Sequence, residues 1–366
     1  MPPFFYICSK FHLMKILKYF LLFIVVFSAC KKEEEDPVAQ LPNDYGNGMY
    51  ILTNQGVSFY NYLAADSLRA VKQNIFQNVN NRNIQQPKSL HIGGGKAFII
   101  GDQLYIANIE TFGNEGIVAG FSNPISCKAV DDDRLYVVDK GTSSVKIVDL
   151  SDLEFSSHIE TGDSTMPTFI LGSWYRAFVL NGGGNDFASR DSSIVAIDYS
   201  QSGVPVNNFS GKLDLGYNPS SATYSANHLW VLCKGVYDTQ NPTTNTESSI
   251  HKIAPWSNVI DDNKNLSGIY NADNLAINES KSRMFFTSTD GIYITDLTIF
   301  PVLHIPTVDA GFITINTEQI NDSTKVEYLY TNDANQSGKV LKYEAWTGVF
   351  VESIDVNGDV IDVVFY

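Results

Sequence analysis

Charged residues and long runs of good helix formers are scarce in this chain, and both shortages restrict what it can be. Only 18% of its 366 residues are charged and 44% are hydrophobic, so there is enough apolar material for a core and wholesale disorder is excluded. Basic residues are outnumbered, 25 against 40 acidic ones, and the formal charge of -15 disfavours binding to nucleic acid through a phosphate-facing surface. The 19 Tyr, 22 Phe and 26 Gly are typical of strands joined by tight turns. The sequence therefore predicts a folded, mostly β protein.

Sites for catalysis, metals or cofactors are also scarce. The 4 Cys and 6 His form no CxxC, HxH or HExxH pattern, and no nucleophile lies beside a base. Cys127 and Cys233, each flanked by strand-like sequence, are predicted to be buried thiols, although a disulfide between them stays open. Asp355, Asn357 and Asp359 imitate the start of a calcium loop, but the Gly falls too early and the closing Glu is missing, so we expect a simple turn. The sequence predicts no enzymatic activity, no metal and no cofactor.

The first thirty residues have the features of a secretory signal. Two lysines precede an unbroken apolar run over residues 19–27, which is short for a membrane span, and small residues follow it. We expect translation to start at Met14 and residues 1–30 to act as the signal peptide. Residues 27–30, Phe-Ser-Ala-Cys, resemble the lipobox of bacterial lipoproteins, which implies that Cys30 is acylated as the first residue of the mature chain. An ordinary signal peptide cleaved nearby is the alternative.

Residues 31–44 are predicted to form an acidic, flexible tether. Their opening run, Lys-Lys-Glu-Glu-Glu-Asp, is of a kind that normally stays solvated. The run also resembles the segment that directs lipoproteins of Bacteroidetes-type bacteria to the outer face of the outer membrane. This resemblance implies a lipid-anchored outer-membrane protein that faces the cell exterior and contacts the membrane only through its anchor.

One short pattern recurs seven times after the tether: an aromatic residue, two or three further apolar residues, and a small or polar stop. Successive copies lie about 46 residues apart on average, which is the length that four short strands and their turns require. The copies begin at Tyr50, Phe98, Tyr136, Phe178, Trp230, Phe285 and Tyr328.

Further patterns flank most copies and complete a four-stranded unit. A turn residue and an alternating stretch precede the copy, and another alternating stretch follows it, as in residues 145–149 and 194–198. With a weaker last stretch, such as residues 155–159, each unit is interpreted as strands A, B, C and D. The sequence predicts an all-β, seven-bladed β-propeller of four-stranded antiparallel blades over residues 45–366. A pair of β-sandwich domains is the alternative, but it does not explain the sevenfold recurrence.

The first and last units differ from the others in complementary ways. The first unit lacks a strand A, whereas residues 360–365 provide one strand too many at the end of the seventh. Pairing this C-terminal strand with blade one would close the ring and remove an open sheet edge. We therefore predict that the C-terminal strand completes blade one.

The blade pattern resembles the YncE-like, YVTN-type seven-bladed propellers over residues 45–366. Residues 73–80, followed by residues 89–92 and 95–100, resemble the first blade and following hairpin of Bacteroidetes surface lipoproteins, the group that includes the cobalamin-binding BtuG proteins. This resemblance implies capture of a corrinoid and its delivery to a TonB-dependent transporter of the outer membrane. The Asn-Trp-Gly-like segment that such proteins often carry in blade one is here only Thr-Asn-Gln-Gly, at residues 53–56.

Two long loops identify a candidate binding face. In a four-stranded blade the B to C and D to A connections emerge on one side, and long loops on a rigid scaffold are where binding residues concentrate. The B to C loops of blades four and five, residues 181–192 and 234–249, are much longer than the others and are adjacent. Their aromatic and amide groups suit a flat, amide-fringed ligand such as a corrinoid, or a loop of a partner protein. The predicted ligand-binding residues are Phe187, Arg190, Asn185, Asp186, Tyr237, Asp238, Asn241, Tyr217, Asn218, Tyr270, Asn271 and Met166.

For each of these residues the alternative is a purely structural role, with Asn forming turns and Tyr packing. The combined observations favour a non-enzymatic cell-surface lipoprotein that binds a small nutrient, such as cobalamin or a related corrinoid, and passes it to an outer-membrane transporter. A surface scaffold for protein or glycan contact is the alternative. An enzyme of the lactonase or lyase kind found on propellers is less favoured, because no His, Glu or Arg constellation occurs at repeat-related positions.

Overall fold

The chain folds into a ring of seven four-stranded antiparallel sheets, as the sequence predicts. The computed structural model describes residues 44–366 except residues 66–68, 163–164, 185, 226 and 322. The predicted signal peptide, Cys30 and the tether before residue 44 therefore lie outside the described residues. Within the described residues, no helix is long and apolar enough to cross a membrane.

Each blade contains four strands that follow one another along the chain, except for blade one. In chain order the strands are β1 (Met49–Thr53), β2 (Gly56–Tyr60), β3 (Val71–Lys72), β4 (Ser89–Gly93), β5 (Lys96–Ile100), β6 (Leu104–Asn108), β7 (Asn114–Val118), β8 (Pro124–Ala129), β9 (Arg134–Asp139), β10 (Ser144–Asp149), β11 (Glu154–Glu160), β12 (Pro167–Ser173), β13 (Arg176–Asn181), β14 (Ser193–Gln201), β15 (Val204–Asp214), β16 (Pro219–Ser225), β17 (His228–Cys233), β18 (Ser249–Ala254), β19 (Val259–Asn265), β20 (Asp273–Ile277), β21 (Arg283–Ser288), β22 (Gly291–Asp296), β23 (Val302–Pro306), β24 (Ile313–Asn321), β25 (Thr324–Thr331), β26 (Lys339–Glu344), β27 (Phe350–Asp355) and β28 (Val360–Phe365). Blades two to seven take β4 to β27 in groups of four.

Blade one is completed by the C-terminal strand. β28 lies antiparallel to β1, with Met49 opposite Phe365, and the sheet order is β28-β1-β2-β3. Gly48 and Tyr366 extend the pairing through two backbone hydrogen bonds of 3.1 Å. The predicted closure is confirmed: the two ends of the propeller form one sheet, so neither end leaves an open edge on strand β1.

The hydrophobic core lies between the blades, and this explains why the B strands are continuously apolar. Along β13, side chains alternate between two neighbouring blades because successive residues of a strand point to opposite faces. Phe178 and Leu180 pack with Leu229 of blade five, while Val179 packs with Val138 of blade three. Both faces of the strand are thus covered, and all six of its residues are buried.

Blade one has the least regular outer edge. Its fourth strand, β3, has only two residues, and a short helix α1 (Ile75–Asn80) follows it. Ile75 and Phe76 of this helix are buried in the core between blades one and two. In blade one, a helix thus covers part of the core beside the short fourth strand.

The connections divide between the two sides of the disc. We call the side with the A to B and C to D connections the hairpin face, and the side with the B to C and D to A connections the loop face. The A strands of neighbouring blades lie beside one another around the central axis. They form the wall of a channel that runs between the two faces.

Candidate ligand-binding face

The two long B to C loops lie side by side on the loop face, joined by one amide. Asn218 lies in the connection from blade four to blade five, and its Nδ2 donates hydrogen bonds to the carbonyl oxygens of Gly184 and Gly235, at 2.9 and 2.8 Å. Gly184 belongs to the blade-four loop and Gly235 to the blade-five loop. With only 3% of its surface exposed, Asn218 positions both loops from below.

The backbone beneath the blade-four loop packs closely against the side chain of Asn218. The Oδ1 atom of Asn218 accepts a hydrogen bond from the N–H of Asp191 at 3.1 Å. Gly183 has a φ of +56°, and a Cβ atom there would lie 2.3 Å from the nitrogen of Asp191 and 2.5 Å from Asn218 Oδ1. Glycine is needed at this position both for its left-handed conformation and for the close approach of the chain.

An aromatic and guanidinium cluster is exposed above this amide. The guanidinium carbon of Arg190 lies 3.6 Å from the ring centroid of Phe187 and 4.9 Å from that of Tyr217. The two rings meet edge to face, with centroids 5.9 Å apart. Each contact between the guanidinium group and a ring is worth about 0.5–1 kcal/mol at exposed sites. Because the ring of Phe187 remains 39% exposed, the cluster offers an open aromatic surface next to a fixed positive charge.

A second aromatic pair lies on the blade-five side. The rings of Tyr237 and Tyr270 have centroids 6.4 Å apart and are tilted by 42°. Nearby, the Lys234 ammonium forms an ion pair with Asp273 at 2.5 Å, and the carbonyl of Lys234 accepts a hydrogen bond from the N–H of Asn271 at 3.1 Å. These contacts join the blade-five loop to the entry strand of blade six.

A polar cavity of about 450 Å³ opens beside this pair, between blades six and seven. Asn271 is the one predicted residue in its wall, and Tyr270 adjoins it along the chain. Ser288, also in the wall, donates a hydrogen bond to the carbonyl of Tyr270 at 2.9 Å. The wall carries carboxylate, amide and hydroxyl groups from Asn271, Asp273, Asn274, Thr287, Ser288, Thr289, Thr307, Asp309 and Asn335. The sequence pattern did not predict this cavity, since it is built from short connections with no unusual composition.

Two predicted acidic residues are used by their own loops. Asp186 Oδ1 accepts hydrogen bonds from the N–H groups of Ala188 and Ser189, both at 2.9 Å. The hydroxyl of Ser189 also donates to this carboxylate and, together with the backbone, holds the pKa of Asp186 below its usual value. Asp238 Oδ1 accepts the N–H of Asn241 at 3.2 Å. These carboxylates shape the loops and are occupied by backbone donors.

The remaining predicted residues lie at the margins of the face. The carbonyl of Met166 accepts a hydrogen bond from the N–H of Gly182 at 2.8 Å, so the connection from blade three borders the blade-four loop. Asn241 is exposed at the far tip of the blade-five loop. Asn185 lies outside the described residues. Phe187, Arg190 and Tyr217 thus form one cluster, and Tyr237 and Tyr270 form another.

The central channel is a second cavity, of about 440 Å³, to which all seven blades contribute. Its titratable residues include Lys88, Lys128, His91 and Asp362. Burial raises the pKa of Asp362 to about 6, although the backbone N–H groups of Val363 and Leu90 donate to its carboxylate. Burial lowers the pKa of His91 to about 3, so this ring is neutral near pH 7. The sequence pattern did not predict that the closing strand would place a carboxylate in this channel.

A buried Cys, Ser and His group lies beneath the loop face. His251 Nε2 is 3.0 Å from Ser249 Oγ and accepts the N–H of Gly216 at 2.9 Å, and burial lowers its pKa to about 4. The thiol of Cys233, in contact with the same serine, is free and fully buried, which raises its pKa to about 12. The basic nitrogen of His251 is occupied by a backbone donor, and the three side chains are buried. They therefore form a packed polar layer and do not form an activated nucleophile. Cys127 is likewise a free buried thiol, as predicted.

The described residues include no group of three or more His, Cys, Asp or Glu side chains placed to hold a metal ion. The calcium-like segment is a turn: Gly358 has a φ of +84°, and Asp359 Oδ2 accepts a hydrogen bond from Asn54 Nδ2 at 2.9 Å. This contact ties the turn before β28 to blade one. The loop face carries exposed rings, amides and a guanidinium group.

No protein-family model matches the sequence, and no curated protein matches it either. Among solved structures, the fold is similar to a quinonprotein alcohol dehydrogenase-like protein from Bacteroides thetaiotaomicron, with a TM-score of 0.60, 13% identity, and coverage of 87% of this chain and 78% of that one. It is also similar to a putative 6-phosphogluconolactonase from Bacteroides fragilis, with a TM-score of 0.60, 10% identity, and coverage of 90% and 100%. Virginiamycin B lyase from Staphylococcus aureus gives a TM-score of 0.53, 12% identity, and coverage of 75% and 85%. At these identities the likeness shows a shared fold, that of seven-bladed β-propellers.

Proposed function

We propose that this propeller is a non-enzymatic binding protein whose loop face captures a small nutrient at the surface of a cell. One observation carries the proposal. The buried amide of Asn218 joins the two longest B to C loops of the ring, and these loops then present exposed rings and a guanidinium group. Long loops fixed on a rigid scaffold are where binding residues concentrate.

The groups on this face suit a ligand that is broad, partly flat and rich in amides. Phe187 and Tyr237 belong to two separate aromatic pairs, so a ligand lying across both loops would contact both. Asn271 and the polar cavity beside it supply donors and acceptors for side groups at the edge of such a ligand. A corrinoid such as cobalamin has this combination of a flat ring and amide side chains, and the sequence resemblance to Bacteroidetes surface lipoproteins supports the same choice.

Isothermal calorimetry with cobalamin tests this ligand. We expect heat of binding at micromolar protein concentration with the cobalamin recovered unchanged. Replacing Phe187 and Tyr237 together by Ala should weaken binding at least tenfold, because each lost ring contact is worth about 0.5–1.5 kcal/mol beyond its buried area and 1.4 kcal/mol corresponds to a factor of ten. The control is Phe209→Ala, which removes an exposed ring from the outer edge of blade four. Absence of heat with any corrinoid would remove this ligand class.

Lipid anchoring through Cys30 and transfer of the ligand to a TonB-dependent outer-membrane transporter complete the proposal. Pull-down of the acylated protein from outer membranes tests the second step, with Cys30→Ala as the control that removes the acylation site. Co-purification of a transporter supports delivery. Co-purification of other surface proteins or of glycans without a transporter would favour the scaffold function instead.

A further inference from the structure

Exposed apolar side chains are distributed unequally over the two faces of the disc. Among the described residues, Phe187 is the only large, exposed apolar side chain in a connection of the loop face. The connections of the hairpin face carry Leu63, Trp174, Trp256, Phe300, Trp346 and Val349. Three of the four tryptophans of the chain are in this set, and the fourth, Trp230, is buried. Large exposed apolar side chains in the connections are thus concentrated on one face of the disc.

Trp174 is the most prominent of these residues. It lies at the tip of the hairpin between β12 and β13, with 70% of its surface exposed and a φ of +45°. A bulky side chain in the left-handed region is unusual and costs free energy, and a ring that is 70% exposed has little packing within the fold. Asn or Gly would suit the turn better. Trp174 therefore lowers the stability of the isolated fold, and contact of its ring with another surface would offset that loss.

Trp256 and Trp346 are held in place by neighbouring blades. Arg176, which follows the hairpin of Trp174, donates to the carbonyl of Pro255 at 2.7 Å and so fixes the turn of Trp256. Trp346 donates from its indole nitrogen to a blade-seven carboxylate at 3.0 Å, and the Arg283 guanidinium lies 5.6 Å from its ring. Each indole is thus presented on a rigid support, with a basic side chain close by.

The described chain begins on the same face. The N–H of Tyr45 donates to the carbonyl of Glu110, in the C to D connection of blade two, at 2.9 Å. Asp44 therefore marks the point where the preceding residues join the ring, and the 13 residues 31–43 separate it from Cys30. At no more than about 3.6 Å per residue, such a segment keeps this face within roughly 50 Å of an acylated Cys30.

We propose that the hairpin face docks onto the head-group region of a lipid bilayer through Trp174, Trp256 and Trp346. Tryptophan favours the boundary between lipid and water, where its ring is buried and its indole N–H remains hydrated. The three rings stand on separate blades, so each can enter a fluid interface independently. This inference rests on the proposed location at a membrane surface, but not on the identity of the ligand.

Vesicle flotation with the chain from residue 31 onward tests the proposal. All seven blades and the closing strand lie within the described residues, which form one compact unit, so we expect the protein to fold without the apolar stretch and the acyl chain. We expect it to float with phosphatidylcholine–phosphatidylethanolamine vesicles and its tryptophan emission to be quenched by brominated phosphatidylcholine. Addition of phosphatidylglycerol should weaken binding, because the protein is strongly acidic.

Matched variants identify the face that binds. Combining Trp174→Ser, Trp256→Ser and Trp346→Ser should lower the partition coefficient at least tenfold, and the remaining Trp230 should escape quenching and report an intact fold. Trp174→Ser alone, at a hairpin tip, should lower it several-fold if the triple variant fails to fold. Phe187→Ser on the loop face is the control and should bind vesicles like the parent protein. The proposal is overturned if the parent protein does not float, if Phe187→Ser loses binding as much as the triple variant, or if the tryptophans instead mediate self-association in sedimentation.

Discussion

At the scale of single residues, side chains that resemble functional groups divide into those that shape the fold and those that remain open. Asn218 has its amide taken up by the backbone of the two neighbouring loops, and Asp186 has its carboxylate taken up by the backbone of its own loop. Phe187 and Arg190 instead leave an exposed face after contacting each other. Residue type alone could not separate these roles, because the same amide or carboxylate serves either purpose according to which backbone donors lie near it.

Asp362 provides a residue-scale prediction because it lies in the central channel. Its folded-state pKa, about 6, is higher than the ordinary value of 3.8. Its contribution to stability is therefore fully present below about pH 4 and is lost as the pH rises through 6. His91, in the same channel, stays neutral over this window because its pKa is near 3, and burial lowers the pKa of Lys128.

We expect Asp362→Asn to raise the free energy of unfolding at pH 7.5 and to leave it nearly unchanged at pH 4, because the amide carries no charge to desolvate. Urea unfolding of the parent protein and the variant over this pH range measures the difference. The matched control is Asp132→Asn at an exposed hairpin tip. Equal effects of the two substitutions at pH 7.5 would show that Asp362 carries no burial penalty.

At the scale of elements, the loop face is built by connections rather than by strands. The seven B strands and their partners were predictable because burial on both sides imposes a continuous apolar pattern that sequence displays directly. The two long loops were predictable as well, because both are B to C connections of adjacent blades and so lie on the same face. Their internal arrangement was not predictable, since it depends on contacts between residues far apart in sequence, such as Asn218 with Gly184. The polar cavity was missed for the same reason.

Asn218→Ala provides the prediction at this scale. Removing the amide leaves the carbonyl groups of Gly184 and Gly235 without their donor, and unsatisfied buried groups cost about 1–3 kcal/mol. We expect faster amide hydrogen exchange in both long loops and weaker ligand binding, with little change in the strands. Asn241→Ala, at an exposed loop tip, is the control. If exchange rises in only one loop, Asn218 does not join the two.

At the scale of the whole molecule, the sequence predicted the ring and its closure. The first unit lacks a strand and the last has one too many, and both features are visible locally in the sequence. Pairing of β28 with β1 accounts for both. The asymmetry between the two faces was not predictable. It arises from hairpin tips such as those of Trp174 and Trp346, which lie far apart in the chain and share a side only in the folded ring.

Closure itself predicts a strong dependence on the last strand. Val363 of β28 is 2% exposed and packs in the core between blades seven and one, whereas Val351 on the rim of blade seven is 45% exposed. Val363→Asp should lower the melting temperature by more than 10 °C or prevent folding, because a buried charge without a partner costs several kcal/mol. Val351→Asp is the matched control and should melt within about 2 °C of the parent protein. Similar melting of both variants would mean that the ring does not depend on β28.

The central claim, capture of a nutrient on the loop face, is tested most directly by hydrogen–deuterium exchange with and without cobalamin. The proposed function predicts protection in residues 182–192 and 234–248, together with the segment around Tyr270, and no change on the hairpin face. Protection confined to the hairpin face or to the channel, or no protection at saturating cobalamin, would contradict it.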